Sequence, residues 1–442
     1  MSEGSRSSVA AFHSRDFRLY QAARLAVVIG AEAQALAVAW QVYSMTHRAI
    51  DLGYTGLALF FPGLLFLLPA GHVADRFDRR QVVLVCYSLQ AVLTMVLFAF
   101  AFHGLARVWP IYLVLFLIGT GRAFSGPASS ALIPQLVPTG AFVNAVTWGA
   151  TIFRIATITG TTVGGFLFTL PLGMVTLGGR AGTMQGAAVV YVFTLATLVF
   201  YVALIAMLSV RPGRQEHRAV STEVILAGIR YVFDTPVLLG SISLDLFAVL
   251  LGGAVALLPI FANEILHAGP RGLGLLRAAP EVGALMVSLW LTLYPIRRRA
   301  GVRMLLCVAI FGMATVLFGV SRSIALSMFA LLLVGASDMV SVVIRSSILQ
   351  LATPQEMRGR VSAVNSLFLG ASNEFGEFES GVTAQWWGPV RAVVAGGIGS
   401  LIITGLWSRF FPALRSIGSL SPEALLRVTM NENAADVQEQ ER

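Results

Sequence analysis

The stretch GHVADRFDRR, residues 71–80, sets five charged side chains between two long apolar runs. A dense cationic turn in that setting is the mark of a short loop on the cytoplasmic face of a membrane protein with many spans. Composition agrees: 56% of the 442 residues are hydrophobic, 12% are charged, and the mean hydropathy is +0.78. A soluble chain of this length could not cover so much apolar surface. The bilayer is therefore its main solvent.

A helix needs about 20 apolar residues to cross a bilayer. The sequence predicts twelve such segments, near 20–45, 52–70, 81–102, 109–133, 143–169, 187–209, 237–262, 272–294, 302–320, 323–350, 361–384 and 389–410. An even count puts both termini on one side. Flanking arginines choose that side: twenty lie on the side of the termini and the 71–80 loop, and six lie opposite. Both termini are thus expected in the cytoplasm. The predicted organisation is a cytoplasmic segment over 1–19, a six-helix bundle over 20–210, a linker over 211–236, a second bundle over 237–411 and a cytoplasmic tail over 412–442. Neither a cleavable signal nor a lipidation pattern is evident, so the expected location is the inner (plasma) membrane.

In the linker, Val224, Ile225, Gly228, Ile229 and Val232 share one helical face. The expectation is a short helix on the membrane surface with Arg230 at the headgroups. Across it, the halves show self-similarity at a shift of 216 residues, with Gly119 on Gly335, Arg122 on Asp338 and Pro138 on Pro354.

The bulk numbers also exclude function classes. A net charge of +9 could point to nucleic acid, but the cations sit between apolar spans rather than along one soluble face. All 31 basic residues are Arg, which removes lysine chemistry. Cys86 and Cys307 fall inside spans and imply no disulfide framework. The six histidines show no ligand spacing, so neither metal nor cofactor is expected. No GxxxxGK[ST], HExxH or GxSxG motif is present, which disfavours ATP-driven pumping and enzymatic roles.

Twelve spans, a central linker and the 71–80 loop together resemble the major facilitator superfamily of secondary transporters. Gly71, Asp75, Arg76, Arg79 and Arg80 match its motif between helices two and three, with Asp78 where a glycine is usual. The stretches at 40–80, AFSGPASSALIPQLVP at 123–138 and GIRYVFDTP in the linker are similar to the enterobactin-exporter or transmembrane secretion effector branch. GTTVGG at 160–165 looks like the exporter motif GPxxGG, with Thr161 in place of proline and Gly160, Gly164 and Gly165 free to admit a neighbouring helix. The resemblance implies an all-α membrane fold, proton-coupled export of a small siderophore-like or drug-like molecule, and a gating role for Asp75. Import by the same fold, or a non-transporting sensor or scaffold, are the alternatives. The expected partners are the substrate, protons, the lipid bilayer and no nucleic acid, with the chain acting as a monomer.

A charge at the centre of a span costs about 2.5–3.5 kcal/mol on insertion scales, so those retained invite a functional reading. Glu32, Arg122, Arg154, Asp338, Arg345, Glu374 and Glu377 are the candidates for proton coupling or a polar cavity. The competing reading is mutual neutralisation, Glu32 with Arg122 or Arg154 and Asp338 with Arg345. Asp245 and Glu281 lie off-centre and read as inter-helix or interfacial residues. Glu374 and Glu377 share a helix face, whereas Glu379 points elsewhere. Trp109, Trp386 and Trp387 read as interfacial belt residues.

Overall fold

The computed structural model describes residues 10–170, 174–177, 180–183, 186–209, 222–296 and 298–418, apart from the side chains of 74, 75, 139, 143, 174–177, 180–183 and 222–225. The start of the expected cytoplasmic N-terminal segment (1–9), the last residue of the expected first bundle (210), the polar first part of the expected linker (211–221) and the expected cytoplasmic tail from 419 lie outside the described residues, as does Arg297.

The described residues are helical almost throughout. In order come α1 (Arg15–Thr46), α2 (Ala49–Leu65), α3 (Leu67–Arg76), α4 (Arg79–His103), α5 (Trp109–Leu136) and α6 (Phe142–Phe168). A two-stranded antiparallel ribbon, β1 (Met174–Leu177) and β2 (Arg180–Thr183), precedes α7 (Ala187–Ala206). Then follow α8 (Thr222–Phe233), α9 (Pro236–Leu251), the single turn α10 (Leu258–Ile260), α11 (Gly269–Leu293), α12 (Ala300–Val320), α13 (Ile324–Ala352), α14 (Arg358–Trp387), α15 (Pro389–Phe410) and the short α16 (Pro412–Ser416).

Among the described residues, ten helices, with 236–265 taken as one, are long and apolar enough to cross a membrane, and α2 with α3 makes an eleventh as a pair bent by 59°. The expected second span is thus a broken helix that continues to Arg76. Pro62, which cannot donate a backbone hydrogen bond, sits one turn before the break at Phe66. The expected seventh span is also interrupted. α9 stops at Leu251, and the backbone reaches Ile265 through 3-10, α and π turns. α14 is 30 residues long and falls outside the apolar set. Its Asn365, Asn373, Glu374, Glu377 and Glu379 explain why: it is the most polar of the long helices.

The helices form two compact units. One comprises residues up to 47, 58–220 and 269–278; the other comprises 48–57, 221–268 and 279 onward. α2 and α11 therefore each contribute to both units, a division finer than one boundary in the linker. In the first unit α1 packs on α6 and α7, and α4 on α5 and α7. Its interior holds two apolar clusters, one around Phe17, Tyr20, Val83, Leu198 and Tyr201, the other around Val42, Leu97, Ile111 and Tyr191. In the second unit α12 packs on α13 and α15, and α9 on α14 and α15, around Leu238, Met304, Ile344, Ile348 and Val361. Apolar side chains such as Val85, Met95, Val199, Leu289, Leu293 and Ile402 remain exposed, as lipid-facing positions require.

Lipid tails are as apolar as leucine, so close packing rather than water exclusion holds such helices together. Glycines at crossings show it. Gly119 on α5 lies against the Leu59 backbone of α2, and its repeat partner Gly335 on α13 lies against the Pro280 backbone of α11. The 216-residue self-similarity therefore corresponds to one packing solution used twice.

α8 departs from the expected surface helix. Gly228 sits against α14, where an added Cβ would meet Arg360 O at 2.9 Å and a Val364 methyl at 3.0 Å, and Val232 is buried. The predicted apolar face is covered by protein at these positions, while Leu226, Arg230 and Phe233 are exposed. The Tyr231 hydroxyl donates to Ala352 O at 3.1 Å, and burial pushes this phenol up from its ordinary pKa.

Candidate functional site

The 71–80 loop is a helix-to-helix corner. α3 ends at Arg76, Phe77 is extended, and Asp78 caps α4 by accepting a hydrogen bond from Arg80 N at 2.9 Å. Asp78 has φ of −60°, so the residue that replaces the family's glycine serves as an N-cap and not as a left-handed turn. Arg79 is 8% exposed and donates from Nη1 to Ala131 O of α5 at 3.1 Å. Arg80 donates from Nε to Ile205 O at 3.1 Å and from Nη2 to Ala206 O. These carbonyls end α7, where the helix dipole favours a cation. The basic pair thereby ties α4 to α5 and α7 inside one unit. Gly71 has open space around it and Arg76 is exposed. The side chain of Asp75 is not among those described.

Of the 160–165 glycines, Gly160 and Gly164 lie against α1. A Cβ on Gly160 would meet Ile29 O at 2.6 Å and Glu32 Cβ at 2.8 Å, and one on Gly164 would meet Ala33 Cα at 2.7 Å. Gly165 instead faces the first turns of α11, where an added Cβ would fall 2.7 Å from Pro270 O and 3.0 Å from Gly274 Cα. Glu32 is half-buried at the α1 contact. Thr161 donates back to Thr157 O at 3.0 Å and is 2% exposed, so α6 runs unbroken where a proline would have removed a backbone donor.

Arg122 on α5 is exposed, and Arg154 on α6 is half-buried. Arg122 stands near Tyr87, whose ring lies 4.2 Å from that of Tyr201. Arg24 of α1, not singled out from the sequence, lies over the Phe153 ring at 5.7 Å. Its signal was available, since it is an ionisable residue inside the first predicted span.

In the second unit Arg345, for which the competing reading offered Asp338 as a neutralising partner, pairs with an acid on another helix. Arg345 Nη1 bonds Asp245 Oδ2 of α9, and both side chains are almost wholly buried, at 3% and 6% exposure. Seven residues on one helix separate Asp338 and Arg345 by about 10 Å of rise, whereas α9 brings Asp245 directly opposite. Asp338 lines a small cavity beside this pair, with Asp245, Ala248, Val308, Phe311, Ser337 and Ser341. Glu374 and Glu377 come together elsewhere: their Oε2 atoms lie 2.7 and 3.0 Å from the point a Cβ on Gly56 would occupy. Only a glycine of α2 leaves room for both. Glu379, as expected, does not join them there. No cluster of three or more potential metal ligands occurs among the described residues.

Comparison with known proteins completes the assignment. Residues 6–441 match the family described as transmembrane secretion effector. The chain is 26% identical over 412 residues to the enterobactin exporter EntS of Shigella dysenteriae serotype 1, covering 92% of this chain and 94% of that one. Its Escherichia coli O81 counterpart gives the same identity and coverage. Among solved structures, an inward-facing, unoccupied bacterial homologue of the human lysosomal transporter Spinster superposes with a TM-score of 0.71 at 14% identity, over 93% of this chain and 99% of that one. A bacterial homologue of the iron transporter ferroportin gives 0.65 at 15% identity, over 89% and 98%. The family match over residues 6–441 and the near-complete coverage of these relatives lead to one conclusion: the chain belongs to the transmembrane secretion effector family and is a multi-pass membrane transporter of the major facilitator type.

Proposed function

We propose that the protein is a proton-coupled exporter of a small organic molecule, siderophore-like or drug-like, working as a monomer by alternating access. It sits in the inner membrane with both termini in the cytoplasm, the side rich in arginine. The observation that carries this reading is 26% identity to enterobactin exporters over 92% of the chain. Protons can drive such a cycle, because each elementary charge moving down the membrane potential yields about 2.3 kcal/mol per 100 mV.

Glu32 is the leading coupling residue. It is an acid midway along α1, half-buried, and packed where Gly160 lets α6 approach. Arg122 and Arg154 add fixed positive charge suited to an anionic or catecholate substrate. Asp75 is assigned the gating role implied by the family's loop motif. The unbroken path of α6 through Thr161 favours the second reading, import by the same fold, because the kink of the exporter motif is missing.

The test is proton flux. Purified protein in liposomes enclosing a pH-sensitive dye receives an imposed gradient and then catecholate, hydroxamate or cationic drug-like compounds. Compound-dependent proton movement is expected from the wild type and absent in Glu32→Gln, with that variant still folded. Coupled movement that survives unchanged in Glu32→Gln removes Glu32 from the mechanism. Accumulation with, rather than against, proton entry replaces export by import.

A further inference from the structure

Gln21 and Arg24 of α1 converge on one glycine of α6. The point a Cβ on Gly149 would occupy lies 3.0 Å from Arg24 Nη1 and 3.5 Å from Gln21 Nε2. Spaced three apart on a helix, the two side chains share a face. Gln21 is 2% exposed, yet neither its Oε1 nor its Nε2 has a hydrogen-bond partner among the described residues. A buried amide in that state carries its full desolvation penalty, so a folded chain seldom keeps one without a use for it.

The charges beside this amide are unbalanced. Arg24 stands next to Tyr20, Tyr20 next to Tyr87 of α4, and Tyr87 next to Arg122 of α5. Among the described residues neither arginine has a carboxylate within ion-pair reach. Two cations inside predicted spans with no acid against them mark a place where an anion is welcome. Arg24 lies over the Phe153 ring, an arrangement that leaves its in-plane N–H donors for another partner. Aromatic surface is at hand on both sides. Phe153 is 44% exposed, and the Tyr87 and Tyr201 rings sit 4.2 Å apart at 44°.

We infer that Arg24, Gln21 and Arg122 form a site in the first unit for the carboxylate of a small aromatic acid. The Arg24 fork donates two parallel bonds to the carboxylate, and Gln21 Nε2 donates a third. Arg122 supplies the second positive charge, while Phe153 and the tyrosine pair flank the ring. The space over Gly149 is closed by the end of the Arg24 side chain, which is long and half-buried and swings aside to admit the carboxylate to Gln21. A catechol is neutral at neutral pH and would leave both cations unbalanced. The inference rests on the reading of the chain as an exporter of a small organic molecule, and it narrows that molecule to an aromatic carboxylate.

The experiment is saturation-transfer NMR of benzoate with the full chain in nanodiscs of zwitterionic lipid, with empty nanodiscs as the baseline. Saturable binding is expected from the wild type. Arg24→Gln is expected to weaken it about tenfold or more, and Arg24→Lys to recover only part, because an ammonium lacks the fork. Gly149→Ala keeps every charge and favours the helix, so it guards against a misfolded arginine variant; its methyl falls where the donors converge, and it is expected to weaken benzoate as well. A wild type that binds no benzoate saturably overturns the site, as does a wild-type Kd in both Arg24→Gln and Gly149→Ala. Equal competition by catechol overturns it by making the ligand a neutral ring. Loss of benzoate binding when phosphatidylglycerol enters the disc overturns it by making the occupant a lipid headgroup. Proton flux in liposomes reads the transport function separately: flux driven by other compounds without benzoate binding keeps the exporter and overturns this site. Arg24-dependent binding without flux keeps the site and removes proton coupling.

Discussion

Replacing Gly335 with alanine is predicted to be among the most damaging single-methyl changes in the second unit. An added Cβ would lie 2.6 Å from Pro280 Cα, with the Pro280 carbonyl oxygen nearer still. Ordinary contacts begin near 3.4 Å, so α13 and α11 must separate by about 0.8 Å or more. Neither neighbour is the flexible end of a side chain. On the same crossing Gly283 of α11 faces the Leu332 backbone of α13, so rotating one helix brings the other glycine into collision. Overpacking costs about 1–3 kcal/mol, and clashes with backbone belong at the upper end. For a unit of this size about 3 kcal/mol lowers the Tm by roughly 6–12 °C. Scanning fluorimetry of the purified protein measures it. Gly405→Ala, which meets nothing within 4 Å, is the control and should gain about 0.5–1 kcal/mol from helix propensity. A Gly335→Ala protein that melts with the wild type would refute the packing argument.

Other variants probe the 71–80 corner. Arg80→Gln should lose about 1–3 kcal/mol by giving up charge-assisted bonds to the end of α7, and Arg80→Lys should recover only part, because an ammonium lacks the guanidinium fork. Asp78→Ala should cost about 1 kcal/mol as a lost N-cap, and Asp78→Gly only a few tenths; both are read by thermal melts. Asp75→Asn should slow turnover with substrate affinity little changed in liposome transport assays. A pure affinity change would place Asp75 in the binding site instead.

Membrane residence, the helical class and the family motif were legible from residues alone. Each rests on a local rule: span length follows bilayer thickness, loop cations follow the charge asymmetry of insertion, and GHVADRFDRR carries its motif in ten consecutive residues. The repeated glycines were also visible at a spacing of 216, although their purpose was not. Asp78 was readable as a departure from the motif, but only its backbone shows it to be a cap.

What tertiary structure alone decided is which charges meet. On the sequence alone Arg345 could be neutralised by Asp338 two turns away on the same helix, and Asp245 reads as an inter-helix or interfacial residue with no stated partner; the structure joins Arg345 to Asp245, one hundred residues earlier on α9. Glu374 and Glu377 share a face by their spacing, yet only Gly56 on another helix explains how both carboxylates fit. α8 is amphipathic in sequence, and protein rather than the bilayer covers its apolar face, α14 at Gly228 and the core of the second unit at Val232. Periodicity states that a face must be buried. Because bilayer and protein interior are equally apolar, it cannot say which of the two will bury it, and only the packing of backbones at glycines and the low-dielectric attraction of charges select the partner.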